Sequence, residues 1–235
     1  MNRNTGAGWS LLGLAAGLLL GCRAQTKAGT EAGDAPVLRS ALRVSDSASG
    51  PAEPTVVFLG TSLTAGLGLD PDQAYPALIQ QKIDSAGLHY RVVNAGVSGE
   101  TSAGALRRIG WLLRQSPTVL VIETGANDGL RGQDLDSLKQ NIQDIIDSTR
   151  RESPRTRMVL AGMEALPNMG PAYADRFRAI YPSLARANRI PLIPFLLAGV
   201  GGVDSLNQQD GIHPNVVGAR MVADNVWRVL RESLR

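Results

Sequence analysis

The chain contains few of the side chains from which metal, redox and nucleic-acid sites are built. Its 235 residues include one cysteine and two histidines, and aromatic residues make up only 4% of the chain. A closed zinc site of Cys and His ligands needs more such side chains than this. The net charge is +3, but the basic residues are scattered, whereas nucleic-acid surfaces need clustered cations or stacking aromatics. We therefore expect neither a Cys/His zinc centre nor a nucleic-acid partner.

Several common enzyme signatures are also missing. The motif Gly-x-Ser-x-Gly occurs nowhere around the candidate serines, because Thr64 or Glu100 stands where a glycine is required. Neither a phosphate-binding Gly-Lys-Ser/Thr loop nor a dinucleotide-binding glycine fingerprint occurs. These absences disfavour the nucleophile-elbow hydrolase fold and nucleotide binding.

The N-terminus carries an apolar run that is too short to span a bilayer comfortably. The run extends from Leu11 to Leu20, and Gly21 and Cys22 follow it. Its length fits the core of a signal peptide, and Leu-x-Gly-Cys resembles a bacterial lipobox. The resemblance implies cleavage before Cys22, lipidation of its thiol, and a lipid anchor that holds the protein to a membrane on the periplasmic or extracellular face of the cell envelope. The alternative is an ordinary cleaved signal followed by an incidental cysteine.

A polar segment separates this N-terminus from the rest of the chain. Residues 22–53 are rich in Ala, Gly, Ser, Thr, Asp and Glu and contain no aromatic residue, which predicts a solvated tether. A short helix around Val37–Val44 that packs on the domain is the alternative. We expect a signal peptide over residues 1–21, a lipidated cysteine and tether over residues 22–53, and one domain over residues 54–235.

Within residues 54–235, short apolar runs alternate with segments of helical periodicity. The apolar runs, which we predict to be strands, are Val56–Leu59, Tyr90–Val93, Thr118–Glu123, Met158–Ala161 and Pro191–Pro194. Apolar residues at helical spacing predict helices over Asp72–Ala86, Ala103–Leu113, Leu135–Ile146, Tyr173–Ala187 and Pro214–Leu234. This alternation predicts an α/β fold with three layers, α/β/α, around a five-stranded parallel sheet.

The first three predicted strands each end in a small, glycine-rich polar loop. Ser62 lies in the first loop, Gly96 in the second and Asn127 in the third. Because parallel strands place their carboxyl ends at one edge of a sheet, we expect the three loops to converge there. Ser62 is a candidate nucleophile. The N–H groups of Ser62 and Gly96 and the Asn127 amide are candidate donors for an oxyanion hole.

One of the two histidines follows an aspartate closely near the C-terminus. His213 is a candidate general base, and Asp210 is a candidate to orient its ring. Two other interpretations stay open at this point. Asp210 could cap a helix that has Pro214 at its first position, and the Ser62 loop could be a plain turn or a phosphate-binding loop. The other histidine, His89, has no acid at a useful spacing and is expected at the surface.

Together these motifs resemble the four blocks of the SGNH (GDSL-type) hydrolases, and within them the bacterial arylesterase and acyl-CoA thioesterase I-like group. The matching segments, in chain order, are Gly60–Leu63, Gly96, Gly125–Asp128 and Asp210–His213. The resemblance implies a flavodoxin-like sheet with the strand order 2-1-3-4-5, and a serine esterase that needs no metal or organic cofactor. It also implies site roles: Ser62 as nucleophile, His213 as base, Asp210 as its orienter, and Gly96 and Asn127 as oxyanion donors.

One residue departs from the family pattern. The family usually has aspartate before the nucleophile, where it braces the turn, and here the residue is Thr61. The resemblance implies a small-molecule or lipid ester as substrate, with thioesters and lysophospholipids included. A carbohydrate acetyl esterase is an alternative that a wide polar cleft would favour. A non-catalytic, ligand-binding envelope lipoprotein is an alternative that the Thr61 departure favours.

Overall fold

The computed structural model describes residues 53–234, so the predicted signal peptide, Cys22 and almost all of the tether lie outside the described residues. The centre of the domain is a sheet of five parallel strands in the order β2-β1-β3-β4-β5. The strands are β1 (Thr55–Gly60), β2 (Arg91–Gly96), β3 (Val119–Glu123), β4 (Arg157–Ala161) and β5 (Leu192–Ile193). The predicted α/β architecture and strand order are confirmed.

The two strands that carry the nucleophile loop and the asparagine loop are buried on both faces. Val56–Leu59 of β1 and the whole of β3 are almost without solvent exposure, because helices cover both sides of the sheet. This is why both strands are continuous apolar runs in the sequence. β1 pairs with β2 so that Gly60 lies beside Gly96. The pairing brings the ends of the first three strands to one edge of the sheet.

The residues that the structure describes form seven α-helices around the sheet. They are α1 (Ser62–Ala65), α2 (Tyr75–Ser85), α3 (Ser102–Leu113), α4 (Ala126–Leu130), α5 (Leu135–Glu152), α6 (Pro171–Asn188) and α7 (Val216–Leu230). The long helices bury apolar stripes against the core, as α5 does with Leu138, Ile142, Ile145 and Ile146. None of the helices between residues 53 and 234 is both long enough and apolar enough to cross a membrane.

Two short helices at the site were not expected from the sequence. α1 and α4 have four and five residues, too few for a periodic apolar pattern to show. α1 begins at Ser62, and Asn127 is the second residue of α4. β2 also continues to Gly96, beyond the run Tyr90–Val93 from which it was predicted. The site residues therefore lie in regular structure where loops were expected.

The last helix begins two residues later than expected. The prediction that Pro214 occupies its first position is wrong, because α7 begins at Val216 and Asn215 caps it. The Asn215 side chain accepts hydrogen bonds from two N–H groups of the first turn, at 3.0 and 3.1 Å. Pro214 instead pairs with Asn207 in an isolated antiparallel bridge. His213 is therefore held in a short loop in front of the helix.

Candidate active site

Ser62 lies at the junction between a buried strand and a short helix. β1 ends at Gly60, Thr61 has an extended backbone (φ −97°, ψ −153°), and Ser62 opens α1. A side chain at Gly60 would collide with Thr64, so glycine is needed for the chain to turn this tightly. Ser62 is only 9% exposed and stands at the carboxyl edge of the sheet.

The structure brings Ser62, His213 and Asp210 together in one hydrogen-bonded series. Ser62 Oγ lies 2.8 Å from His213 Nε2, and His213 Nδ1 lies 2.7 Å from Asp210 Oδ2. Ser62 and His213 are 151 positions apart, so the fold and not a local turn makes this contact. The side chain of His213 is 17% exposed and that of Asp210 is 45% exposed. Ser62 and His213 are therefore both sheltered from solvent, and Asp210 is the most exposed member of the series.

The protonation of Asp210 determines which nitrogen of His213 carries a proton. Hydrogen bonds from the backbone N–H and ring of His213, and from the Ile212 N–H, lower the pKa of the Asp210 carboxyl to about 2. An ionised carboxylate can only accept hydrogen bonds, so the proton between the two residues belongs to His213 Nδ1. In the neutral ring, Nε2 is then unprotonated and can accept the Ser62 hydroxyl proton.

A tight local turn explains the spacing between Asp210 and His213. Asp210 Oδ1 accepts hydrogen bonds from the N–H groups of Ile212 (2.9 Å) and His213 (3.0 Å). Gly211 has φ +70°, a left-handed conformation that favours glycine. One carboxylate oxygen thus holds the backbone turn while the other holds the imidazole. The interpretation of Asp210 as a helix cap is wrong, since Asn215 caps α7.

Gln208, which the sequence did not single out, ties this turn to the chain that follows α1. Its Nε2 donates to the carbonyl oxygens of Leu67 (2.7 Å) and Pro214 (3.0 Å), and its backbone N–H donates to the His213 carbonyl (2.7 Å). These bonds hold the histidine loop against the segment after Ser62. No sequence pattern marks such a residue, because its partners are backbone atoms, one of them 141 positions away.

A buried carboxylate supports the turn beneath Ser62. Glu123 is fully buried at the end of β3 and accepts hydrogen bonds from the Thr61 N–H (2.7 Å) and the Thr61 hydroxyl (3.0 Å to each oxygen). The Thr64 hydroxyl donates to the same carboxylate (2.9 Å) and contacts the Tyr75 hydroxyl (2.6 Å). Burial raises the pKa of Glu123, although these hydrogen bonds act to lower it. Thr61 therefore braces the turn through Glu123.

Two of the three predicted oxyanion donors are available at the site. The Ser62 N–H, at the start of α1, has no hydrogen-bond acceptor among residues 53–234. Asn127 Nδ2 donates to the Glu100 carbonyl (2.9 Å), which occupies one of its two N–H groups. The same bond holds the Asn127 amide beside the loop that joins β2 to α3.

Gly96, the third predicted donor, is engaged elsewhere. Its N–H donates to the side-chain oxygen of Asn94 (2.9 Å), and Asn94 Nδ2 donates to the Thr64 carbonyl (2.8 Å). A side chain at Gly96 would collide with the backbone of Ala65. Gly96 is thus needed for the close approach of β2 and α1, and the geometry argues against it as an oxyanion donor.

Gly99, further along the same loop, offers the N–H that Gly96 does not. It is exposed and has φ +78°, and its N–H finds no acceptor in the described part of the chain. Its carbonyl accepts a hydrogen bond from Arg131 Nη2 (3.1 Å). Because the next carbonyl, that of Glu100, accepts from Asn127, the Gly99 peptide lies beside the Asn127 amide. Gly99 was not predicted as a donor, although it is the next glycine after Gly96.

The other serines near the site lack the surroundings of a nucleophile. Ser102 is fully buried, and its hydroxyl donates to Asp128 Oδ1 (2.6 Å) and accepts from Asn141 Nδ2 (2.9 Å). Asp128 Oδ2 also accepts the Ser102 N–H at the start of α3 (2.8 Å), so this acid belongs to the framework. Ser98 is exposed and, within the range that the structure covers, makes no hydrogen bond to a histidine.

An apolar pocket opens beside Ser62 and His213. Side chains from α1, α2 and α7, from the segment between α1 and α2 and from the chain before α7 line it, chiefly Leu63, Leu67, Leu69, Tyr75, Leu197 and Val222. The pocket is small, with a volume of about 10 Å³, roughly the room for one water-sized group, so it offers a ligand apolar walls and little enclosed space. Across residues 53–234, no three His, Cys, Asp or Glu side chains are arranged to hold a metal ion. The predicted surface position of His89 is confirmed, since it is exposed.

The chain is similar in sequence to known proteins over most of their length. Residues 58–221 match the model of the GDSL-like lipase/acylhydrolase family. Over 181 residues the chain is 41% identical to the esterase TesA of Pseudomonas aeruginosa, an alignment that covers 77% of this chain and 89% of that protein. It is 36% identical over 171 residues to thioesterase 1/protease 1/lysophospholipase L1 of Escherichia coli, covering 72% and 80%.

A solved structure shows that the similarity extends to the fold. The psychrotrophic esterase EstA from Pseudoalteromonas sp., in a structure inhibited by monoethylphosphonate, is 31% identical to this chain and superposes with a TM-score of 0.72. The superposition covers 77% of this chain and 98% of the esterase.

Proposed function

The chain belongs to the GDSL-like lipase/acylhydrolase family, and we propose that it is a serine esterase that hydrolyses carboxylic esters through Ser62, His213 and Asp210. The observation that carries this proposal is the hydrogen-bonded series from Ser62 Oγ to His213 Nε2 (2.8 Å) and from His213 Nδ1 to Asp210 Oδ2 (2.7 Å). A serine in contact with a base that an acid orients is the arrangement that activates a hydroxyl for acyl transfer.

In the first half of the reaction, Ser62 Oγ attacks the acyl carbon of the ester. His213 Nε2 takes the hydroxyl proton, and the ionised Asp210 stabilises the imidazolium that forms. The tetrahedral intermediate then breaks its bond to the alcohol oxygen, which receives the proton from Nε2. The alcohol leaves, and the acyl group remains on Ser62 as an ester.

The negative oxygen of the tetrahedral intermediate accepts hydrogen bonds from Ser62 N–H, Gly99 N–H and the second N–H of the Asn127 amide. The first two groups have no acceptor among residues 53–234, and the Asn127 amide lies beside the Gly99 peptide. Gly99 takes the role that sequence reasoning gave to Gly96, because Asn94 already binds the Gly96 N–H. Loss of one donor of this kind typically lowers kcat about 10²–10³-fold.

In the second half of the reaction, a water molecule attacks the acyl-enzyme. His213 Nε2 takes one proton from the water and then returns a proton to Ser62 Oγ as the acyl–oxygen bond breaks. The carboxylic acid leaves and the serine is regenerated. Protons and charges balance over the two halves with the residues described here.

The apolar side chains around the small pocket beside Ser62 support esters that carry an apolar acyl or aryl group as substrates. The relatives are named as an esterase and as a thioesterase and lysophospholipase, so aryl esters, thioesters and lysophospholipids are the classes to test. The site shows a small apolar pocket and not the wide polar cleft that a carbohydrate acetyl esterase is expected to have, so that activity is the weaker alternative.

A non-catalytic binding protein is a second alternative, and it is weaker than the proposed esterase. Its main support was Thr61 in place of aspartate, but the Thr61 hydroxyl and N–H both bind the buried Glu123. The turn is therefore braced, and Ser62 Oγ stands 2.8 Å from His213 Nε2. A decayed site would have no reason to keep this geometry.

The proposal includes the place of action. The apolar run from Leu11 to Leu20 followed by Gly21 and Cys22 supports a lipid anchor on the periplasmic or extracellular side of a bacterial envelope. The domain would then meet its substrates close to a membrane.

Hydrolysis of p-nitrophenyl esters, from acetate to palmitate, tests the proposed function. We expect the wild type to cleave them, and Ser62→Ala to lose activity by orders of magnitude while its circular dichroism spectrum stays unchanged. A wild type that cleaves none of these esters, or a folded Ser62→Ala variant that keeps most of the activity, would overturn the proposal.

A further inference from the structure

A shielded ion pair that takes no part in the proposed reaction lies behind the site. The side chains of Glu100 and Arg108 are only 10% and 20% exposed. Arg108 Nε donates to both Glu100 oxygens (2.8 and 2.9 Å), and Nη2 donates to Oε2 (2.6 Å). Apolar side chains of similar size can often replace such a pair without loss of stability, so stability alone does not account for it.

The pair connects the three loops that form the site. Glu100 follows Gly99 in the second loop, and its carbonyl accepts the Asn127 amide of the third loop (2.9 Å). Arg108 Nη2 also donates to the carbonyl oxygen of Gly60 (3.2 Å), at the end of β1 just before the nucleophile turn. The Arg108 guanidinium therefore links the Ser62 turn to the segment that carries Gly99 and that binds the Asn127 amide.

The second loop needs support from outside itself. Val97, Ser98 and Gly99 are exposed, and Gly99 has the positive φ of a residue with wide conformational freedom. Oxyanion donors act only when they are held within a fraction of an ångström of the developing charge. α3 leaves room for the Glu100 side chain because residue 104 is glycine: a side chain there would come within 2.6 Å of Glu100 Cγ.

We propose that Glu100 and Arg108 are a positioning pair, which holds the loop between β2 and α3 so that Gly99 N–H and the Asn127 amide face the oxyanion. The inference rests on the proposed function and adds residues that act through the donors. The Arg108 guanidinium donates hydrogen bonds to Glu100 and Gly60, and it makes none to Ser62, His213 or Asp210. Its loss should therefore lower kcat and leave substrate binding almost unchanged.

Arg107 provides a matched control, because it is the neighbouring arginine on α3 and its side chain is exposed. With p-nitrophenyl butyrate, we expect Arg108→Lys and Glu100→Gln to lower kcat about 10–100-fold, with KM within about twofold of wild type. Affinity for a boronic acid, which forms a tetrahedral adduct on the serine, should fall by a similar factor. Arg107→Ala should match wild type in all three quantities.

A double-mutant cycle separates positioning from general loosening of the fold. If Arg108 acts through the oxyanion donors, Arg108→Lys should lower kcat by a clearly smaller factor in an Asn127→Ala background than in wild type. Equal factors in the two backgrounds would overturn the inference.

A Glu100→Leu/Arg108→Leu double variant covers the case in which a single variant fails to fold. This apolar pair should keep the melting temperature near that of wild type and still show the loss of kcat. If the folded double variant retains wild-type kcat while Ser62→Ala is inactive, the positioning pair is refuted and the proposed esterase stands. If Ser62→Ala is active, the esterase mechanism fails, and the inference fails with it.

Discussion

Thr61 and Glu123 show how a changed residue in a motif can be accommodated by a neighbouring strand. The family usually has an aspartate at position 61, whereas here the threonine hydroxyl lies 3.0 Å from both oxygens of the Glu123 carboxylate. A carboxylate is therefore still present beneath the nucleophile turn, supplied by β3. This arrangement explains why the Thr61 departure does not disturb the contact between Ser62 and His213 (2.8 Å).

Thr61→Asp should make the stability of the protein more dependent on pH. The new carboxylate would stand next to Glu123, whose pKa is already raised by burial, and two adjacent carboxylates resist ionising together. When the pKa of a carboxyl is higher in the folded than in the unfolded protein, protonation favours folding. This contribution to the free energy of unfolding is fully present below the unfolded-state pKa near 4 and is lost as pH rises. Urea denaturation between pH 5 and 8 should show a steeper fall for the variant than for wild type. A variant whose stability rises over this range would contradict the Glu123 brace.

Single functional residues could be predicted where a reactive side chain lies at the end of a strand or in a loop. They could not be predicted where the role of a residue depends on a partner far away in the sequence. Ser62, His213 and Asp210 follow from the few reactive side chains placed at strand and loop ends, and the structure brings them together. Glu123 was predicted only as the last residue of a strand, and its role as a buried acid that holds the nucleophile turn was not predicted. Its partner Thr61 lies 62 positions away, which no local pattern reveals.

At the scale of strands and helices, the sequence predicts what burial imposes on it. The strands and the long helices appear as apolar runs or stripes because they pack against the core, although β2 is only partly buried, through Val92, Val93 and Ala95. α1 and α4 are too short to show a stripe. The choice between Gly96 and Gly99 was equally hidden, because it depends on where the Asn94 side chain finds its hydrogen bonds.

Alanine substitutions should separate the structural roles of the two glycines in the β2–α3 segment. Gly96→Ala forces a methyl group into the backbone of Ala65, and we expect a loss of about 2–3 kcal/mol in unfolding free energy. Gly99→Ala meets only Arg131 Nη2, at 3.9 Å, and suffers only from its positive φ, a loss of about 1–2 kcal/mol. Equilibrium denaturation in urea measures both. A larger loss for Gly99→Ala would contradict the packing role of Gly96.

At the scale of the whole molecule, the proposed lipid anchor and the tether set where the domain works. A flexible chain of about 30 residues has a root-mean-square reach of roughly 30 Å, which keeps the domain close to its membrane. Full-length protein expressed in a bacterium should fractionate with membranes and incorporate labelled palmitate. Cys22→Ser should abolish the labelling, because the thiol is the proposed acceptor.

The control for this experiment is the esterase activity per amount of protein, summed over the fractions, which Cys22→Ser should leave unchanged, since the site lies wholly within residues 53–234. Wild-type protein released in soluble and unlabelled form would show that the N-terminus is an ordinary secretion signal.

The central claim, that Ser62 is the nucleophile and His213 its base, is tested most directly by mass spectrometry of the enzyme after reaction with a fluorophosphonate. The reagent reacts with an activated serine hydroxyl, and the 2.8 Å contact from Ser62 Oγ to His213 Nε2 predicts that Ser62 alone is modified. His213→Ala should slow the labelling by orders of magnitude, and Ser62→Ala should abolish it. A label on Ser98 or Ser102, or full labelling of the His213→Ala variant, would contradict the account.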